Sequence, residues 1–147
     1  MEKKSVKISY VILLIMMIIA LVYGFVGVIK PDVLVARSFQ LHTEQSWTDY
    51  LAASPKLANY MLILERMAAG LGLTTSIGAL FILLTVYKKA EKWAWFYVLV
   101  VGIIGWGNTL LANIRFNNPV LITVNIIGLV LVIIGLVIPA KDFLSKK

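Results

Sequence analysis

The sequence predicts an all-α fold: a four-transmembrane-helix bundle with both termini cytoplasmic and one long outer loop that carries a short interfacial helix. Three observations lead there. Of the 147 residues, 61% are hydrophobic and only 14% charged, whereas a soluble domain is about half apolar and about a quarter charged. Four apolar runs are long enough to cross a bilayer core of about 30 Å. Lysines gather at alternate ends of these runs, as the positive-inside rule requires. The length leaves no room for a soluble domain beside four spans, so residues 1–147 are read as one integral membrane domain.

The first span is expected over residues 8–29, an uncharged run behind Lys3, Lys4 and Lys7. It is too long for a signal-peptide core and no small-residue cleavage site follows, so it is read as a retained span. Pro31 is expected to stop this helix. Residues 30–56 then form the outer loop, apolar enough through Val33, Leu34, Val35, Phe39 and Leu41 to lie on the membrane or fold over the bundle. Ser46 and Asp49 make a pair like a capping box, with Asp in the place of Glu or Gln. The pair predicts a short interfacial helix over residues 47–53, with Trp47 and Tyr50 at headgroup level.

Ser54-Pro55 reads as an N-cap followed by proline at the first helical position, so the second helix begins near Pro55. Its span is placed at 57–87. A helix of that length exceeds the bilayer core, which puts Glu65 and Arg66 near the outer interface. Lys88, Lys89, Glu91 and Lys92 form a tight turn. The third span, 93–112, opens on the interfacial aromatics Trp93, Trp95, Phe96 and Tyr97. A polar turn with Asn113, Arg115, Asn117, Asn118 and Pro119 leads to the fourth span, 120–138.

Orientation follows from cation counts. The side with both termini and the 88–92 turn holds nine (Lys3, Lys4, Lys7, Lys88, Lys89, Lys92, Lys141, Lys146 and Lys147). The other side holds four, Lys30, Arg37, Lys56 and Arg115. The termini are therefore assigned to the cytoplasm and the protein to the cytoplasmic membrane, as a multi-pass protein. The net charge of +7 is explained by these flanks and by lipid headgroups. No basic surface interleaved with aromatics exists outside the spans, so nucleic acid is not an expected partner. The absence of cysteine excludes disulfides, thiolate metal sites and thiol redox chemistry.

Four sets of residues carry the candidate chemistry. Glu65 and Arg66 are adjacent, about 100° apart on a helix, so each needs its own partner. Arg115 is a candidate for Glu65, and Asp32 or Glu44 for Arg66. An interfacial salt-bridge network is the plainer reading, a headgroup or proton site the functional one. Asn108 and Asn125 fall at one depth in an antiparallel hairpin, roughly 9 Å below the outer interface, and Thr74 and Thr75 reach that level. Interhelical hydrogen bonding is the structural reading of this layer; the floor of an outward-opening pocket rimmed by Glu65, Arg66 and Arg115 is the other. Small residues on three helices (Ala68, Gly72, Ser76 and Ala79; Gly102, Gly105 and Ala112; Gly128 and Gly135) point to close packing within the bundle, or to a homodimer seam. His42, the lone histidine, sits in the outer loop. It is a poor metal site by itself, and is read as a surface residue or as a proton shuttle above the pocket. No hydrolase, metalloprotease or phosphate-loop motif is present, and neither metal nor cofactor is expected.

The order Trp47, Pro55, Tyr60, Arg66, Gly70, followed by Lys92-Trp93-Ala94-Trp95-Phe96-Tyr97, resembles a group of small bacterial four-helix membrane proteins, loosely DoxX-like, over roughly residues 47–97. The resemblance implies the fold and a bacterial cytoplasmic membrane. It implies no activity. The better-known DoxX-like proteins are described as quinone-linked or redox accessory subunits, but no quinone or metal motif of theirs is matched here.

The expected function is accordingly a non-enzymatic one: binding of a lipid or other hydrophobic ligand, or an accessory role, through an outer-leaflet pocket. The expected partners are membrane lipids, with a protein partner or a homodimer also open. A transporter or oligomeric channel is the first alternative, disfavoured by the lack of charges within the first and fourth spans. A membrane enzyme acting on a lipid or quinone, with Glu65 as acid/base, is the second, disfavoured because no nucleophile–base pair is legible.

Overall fold

A computed structural model describes residues 3–145; Lys146 and Lys147, counted above with the cytoplasmic tail, lie outside the described residues. Seven helices and no strand occur among them: α1 (Lys4–Ile29), α2 (Pro31–Thr43), α3 (Trp47–Ala53), α4 (Pro55–Thr85), α5 (Lys92–Arg115), α6 (Pro119–Val137) and α7 (Ala140–Leu144), with one 3-10 turn, Tyr87–Lys89, between α4 and α5. Helices α1, α4 (counted on through that turn), α5 and α6 are long and apolar enough to cross a membrane. Their surfaces agree: Leu71 is 71% exposed, Phe81 67% and Val137 67%, and only a hydrocarbon solvent makes such a surface favourable.

The residues expected to form a loop at 30–56 are mostly helical. Pro31 does end α1, but it also opens α2, because at the first helical position its missing N–H is no loss. Asp32 in the first turn favours the same start through the helix dipole. Helix α2 ends at Glu44, which adopts the left-handed conformation (φ 60°). In α3 the Ser46 hydroxyl accepts from the Asp49 N–H at 3.5 Å, the forward half of the expected capping pair. Helix α4 begins at Pro55, yet the Ser54 side chain makes no capping hydrogen bond; proline alone sets that start.

Helix α1 packs against both α4 and α6, and α5 packs against α6, while α4 and α5 touch least among neighbouring spans. The main core lies in the half of the bundle that holds the termini. It joins Leu13 and Met17 of α1, Leu83 and Tyr87, Val98 of α5, Val132 and Leu136 of α6, and Phe143 of α7. A smaller cluster on the opposite side holds α2 and α3 to α4 through Phe39, Trp47 and Ala58, with the Phe39 ring 5.2 Å from Trp47 and 4.6 Å from Tyr50.

Between the two clusters the helices meet through small residues. A Cβ on Gly27 would lie 2.5 Å from the Ala69 Cβ, and one on Gly24 3.1 Å from the Leu73 backbone. The Trp106 ring lies directly on Gly128. On α4 the small face is shifted from the expected one: Ser76 and Ala79 are buried, but Ala68 and Gly72 are exposed, and Ala69 takes the contact with α1.

Candidate functional site

Helix ends organise most of the polar chemistry. A carbonyl near a helix C-terminus has no intrahelical donor, and hydrocarbon supplies none. Pro119 follows Arg115 by four residues and Pro139 follows Gly135 by four, so neither the Arg115 nor the Gly135 carbonyl can receive the usual backbone bond. Side chains from other helices meet these groups. His42 of α2 donates through Nδ1 to the Arg115 carbonyl at 3.1 Å, and the Phe116 ring stands edge-on to the imidazole. Ser9 of α1 donates to the Gly135 carbonyl, and Trp95 Nε1 of α5 donates to the Leu136 carbonyl at 2.9 Å. At the end of α1, Arg66 Nε donates to the Val28 carbonyl at 3.1 Å, a cation placed where the helix dipole favours one.

These bonds decide where the expected site residues stand. His42 and Arg115 are neighbours, through the backbone of one and the ring of the other. Arg66 sits on the end of α1 and forms no ion pair with Asp32 or Glu44, and Glu65 forms none with Arg115; the one ion pair among the described residues is Lys3–Asp142, at 2.9 Å. Glu65 is half-buried against α1, with Oε1 3.8 Å from where a Gly27 Cβ would be. Glu65 and Arg66 thus both meet the end of α1, one at Gly27 and the other at the Val28 carbonyl.

The asparagine layer is rearranged by one residue. Buried Asn125 accepts from the Thr109 hydroxyl and donates to the Leu121 carbonyl at 2.6 Å. Asn108, one residue earlier on α5, is turned away from α6 and exposed. Thr74 and Thr75 are also exposed, and each hydroxyl is satisfied by the carbonyl four residues before it, at 2.9 and 2.8 Å. Asn113 donates to the Thr109 carbonyl at 2.8 Å. Asn118 caps α6 through the Leu121 N–H and reaches Ser38 of α2 at 3.2 Å.

Two concavities mark the surface. One, of about 350 Å³, is lined by Glu44, Gln45, Ser46, Asp49, Tyr50 and Ala53, around α3. The other, of about 270 Å³, is an apolar groove between α1 and α4, lined by Leu21, Val22, Phe25 and Leu73. Leu73 lies two turns along α4 from Arg66, about 10 Å away on the same stripe, and Phe25 lies one turn along α1 from Val28. Arg66 thus stands beyond one end of the groove and does not line it; its Nη groups have no partner among the described residues. Sequence reasoning selected Arg66 but missed the groove, since leucine, valine and phenylalanine on a lipid-facing helix carry no signature. The seven-residue interval between Arg66 and Leu73 was the available signal.

Among the described residues, no three His, Asp or Glu side chains are placed to hold a metal ion. The described residues thus give four helices long and apolar enough to cross a membrane, an apolar groove between α1 and α4 and, beyond the groove on α4, an arginine engaged through one of its nitrogens. The chain matches no family model, no curated protein and no solved structure.

Proposed function

We propose that the protein is a non-enzymatic membrane protein that binds a phospholipid in the α1–α4 groove and acts as a lipid-binding or accessory subunit. The observation that carries this reading is the position of Arg66 two turns along α4 from Leu73, which lines the apolar groove. An acyl chain lies along Leu21, Val22, Phe25 and Leu73, and the phosphate takes the two Nη groups that the Val28 carbonyl leaves free. A guanidinium fork suits a phosphate geometrically, and the pairing is charge-assisted. The cation distribution supports an outer-leaflet position for this site, with both termini on the cytoplasmic side.

Native mass spectrometry in mild detergent tests the proposal with Arg66→Gln and Val22→Trp. The glutamine amide can still reach the Val28 carbonyl but carries no charge, and the tryptophan fills the groove from its exposed lip. The wild type is expected to carry a phospholipid mass that both variants lose while keeping their helical circular dichroism. A wild type without bound lipid, or variants that retain it equally, would overturn the assignment.

A further inference from the structure

We infer that the protein forms a two-fold homodimer in the membrane through the face of α5 that carries Asn108. Asn113 and Asn125, on α5 and α6, have hydrogen-bond partners within the chain; Asn108 has none among the described residues, although it is exposed on a helix that spans the membrane. It lies seven residues inside the Arg115 end of α5, about 10 Å along the axis, where hydrocarbon offers no donor or acceptor. Neighbouring hydroxyls do not meet it: Thr74 and Thr75 are committed to their own helix.

Toward the joining turn the same face of α5 comes close to α4, where the Tyr97 hydroxyl lies 3.4 Å from where a Gly78 Cβ would be. Farther along, Ile104 and Leu111 beside Asn108 are 60% and 62% exposed, and so are Met67 and Leu71 on α4, at 61% and 71%. The two helices part there and leave the amide in an open flank.

A second copy of the chain is the occupant whose chemistry fits. A carboxamide carries both donor and acceptor, so two Asn108 side chains at equal depth about a two-fold axis satisfy each other with reciprocal bonds. A lipid tail offers neither group. An isologous contact also closes at two copies. The approach is sterically open, because a Cβ on Gly105, one turn away, would meet nothing within 4 Å. Arg115, at the end of the same stripe, reaches past the contact to the headgroups.

The chain has no cysteine, so single cysteines report proximity without background. In liposomes at high lipid-to-protein ratio, Leu111→Cys is expected to cross-link to a dimer on oxidation, and Val124→Cys, exposed on α6, is not. Adding Asn108→Leu to the Leu111→Cys chain should weaken self-association by about tenfold, the scale of an interhelical polar contact in lipid. Adding Asn108→Gln, which keeps the amide, should retain most of it. Each substitution points away from the core, so folding is preserved and is checked by circular dichroism. Absence of the Leu111→Cys cross-link, equal cross-linking at positions 111 and 124, or indifference to Asn108→Leu would each overturn the proposal. This test is independent of the lipid groove, which lies on another flank of α4.

Discussion

Ser9 has one hydroxyl proton and gives it to the Gly135 carbonyl, so the Tyr87 hydroxyl must be the donor in the 2.7 Å bond that the two side chains share. This ordering makes the pair asymmetric. Ser9→Ala removes the acceptor of a fully buried tyrosine and the donor of a carbonyl that Pro139 has already orphaned. It is expected to lower stability by about 1–3 kcal/mol, whereas Tyr87→Phe removes both sides of one bond and should cost about 1 kcal/mol. Thermal unfolding in a fixed detergent ranks the two, and an equal or reversed ranking would show that the hydroxyl order is wrong. Trp95→Phe is a parallel case. The ring stays, the Leu136 carbonyl loses its donor, and a loss of about 1 kcal/mol is expected in the same assay.

At the scale of helices, the α1–α4 seam depends on the absence of a side chain at one position. The Ala69 Cβ is fixed on its own helix, so Gly27→Val can be relieved only by separating α1 from α4. The expected loss is about 1–3 kcal/mol. Gly72→Ala is the control: a Cβ there meets nothing within 4 Å, and removing glycine from a helix interior should raise stability by about 0.5–1 kcal/mol. If both substitutions act alike, the seam is not where the packing places it. The spans themselves were legible because uncharged length is a strong signal in lipid. Helix α2 was not, although Pro31 and Asp32 are ordinary start signals, since proline after a long helix reads first as a stop. The asparagine layer was legible in depth but not in direction: Asn108 and Thr109 differ by one residue, and 100° decides which of them faces α6. The salt bridges expected of Glu65, Arg66 and Arg115 failed for a physical reason as well. Unmet carbonyls at helix ends compete for the same side chains, and Arg66 goes to one of them. A pairwise search for opposite charges does not contain that competitor.

Across the whole molecule, the start of α1 meets α7. Lys3 and Ser5 at the start of α1 both bind the Asp142 carboxylate of α7. The Ser5 hydroxyl, then the Lys3 ammonium, hold that carboxyl below the usual aspartate range. A carboxyl whose value is depressed on folding adds stability above the unfolded aspartate value, near about pH 4, and the gain is lost as pH falls through the lower folded value. The tie is therefore constant at neutral pH and released only in acid. Asp142→Asn should flatten the acid limb of a pH–stability profile and leave the profile above about pH 5 unchanged in shape. A variant whose acid limb matches the wild type would show that the tie does not titrate with Asp142.

The clamps on α5 and α6 bear on the order in which the chain is made. Ser9 and His42 are made before α5 and α6, and each waits for a carbonyl there. Once inserted, the α5–α6 hairpin has two backbone acceptors that its own prolines prevent it from serving, at opposite faces of the bilayer. It stays incomplete until it docks on the segment made first. Helix α6 thus closes on helices made well before it, and a chain halted before docking leaves both carbonyls without their side-chain donors.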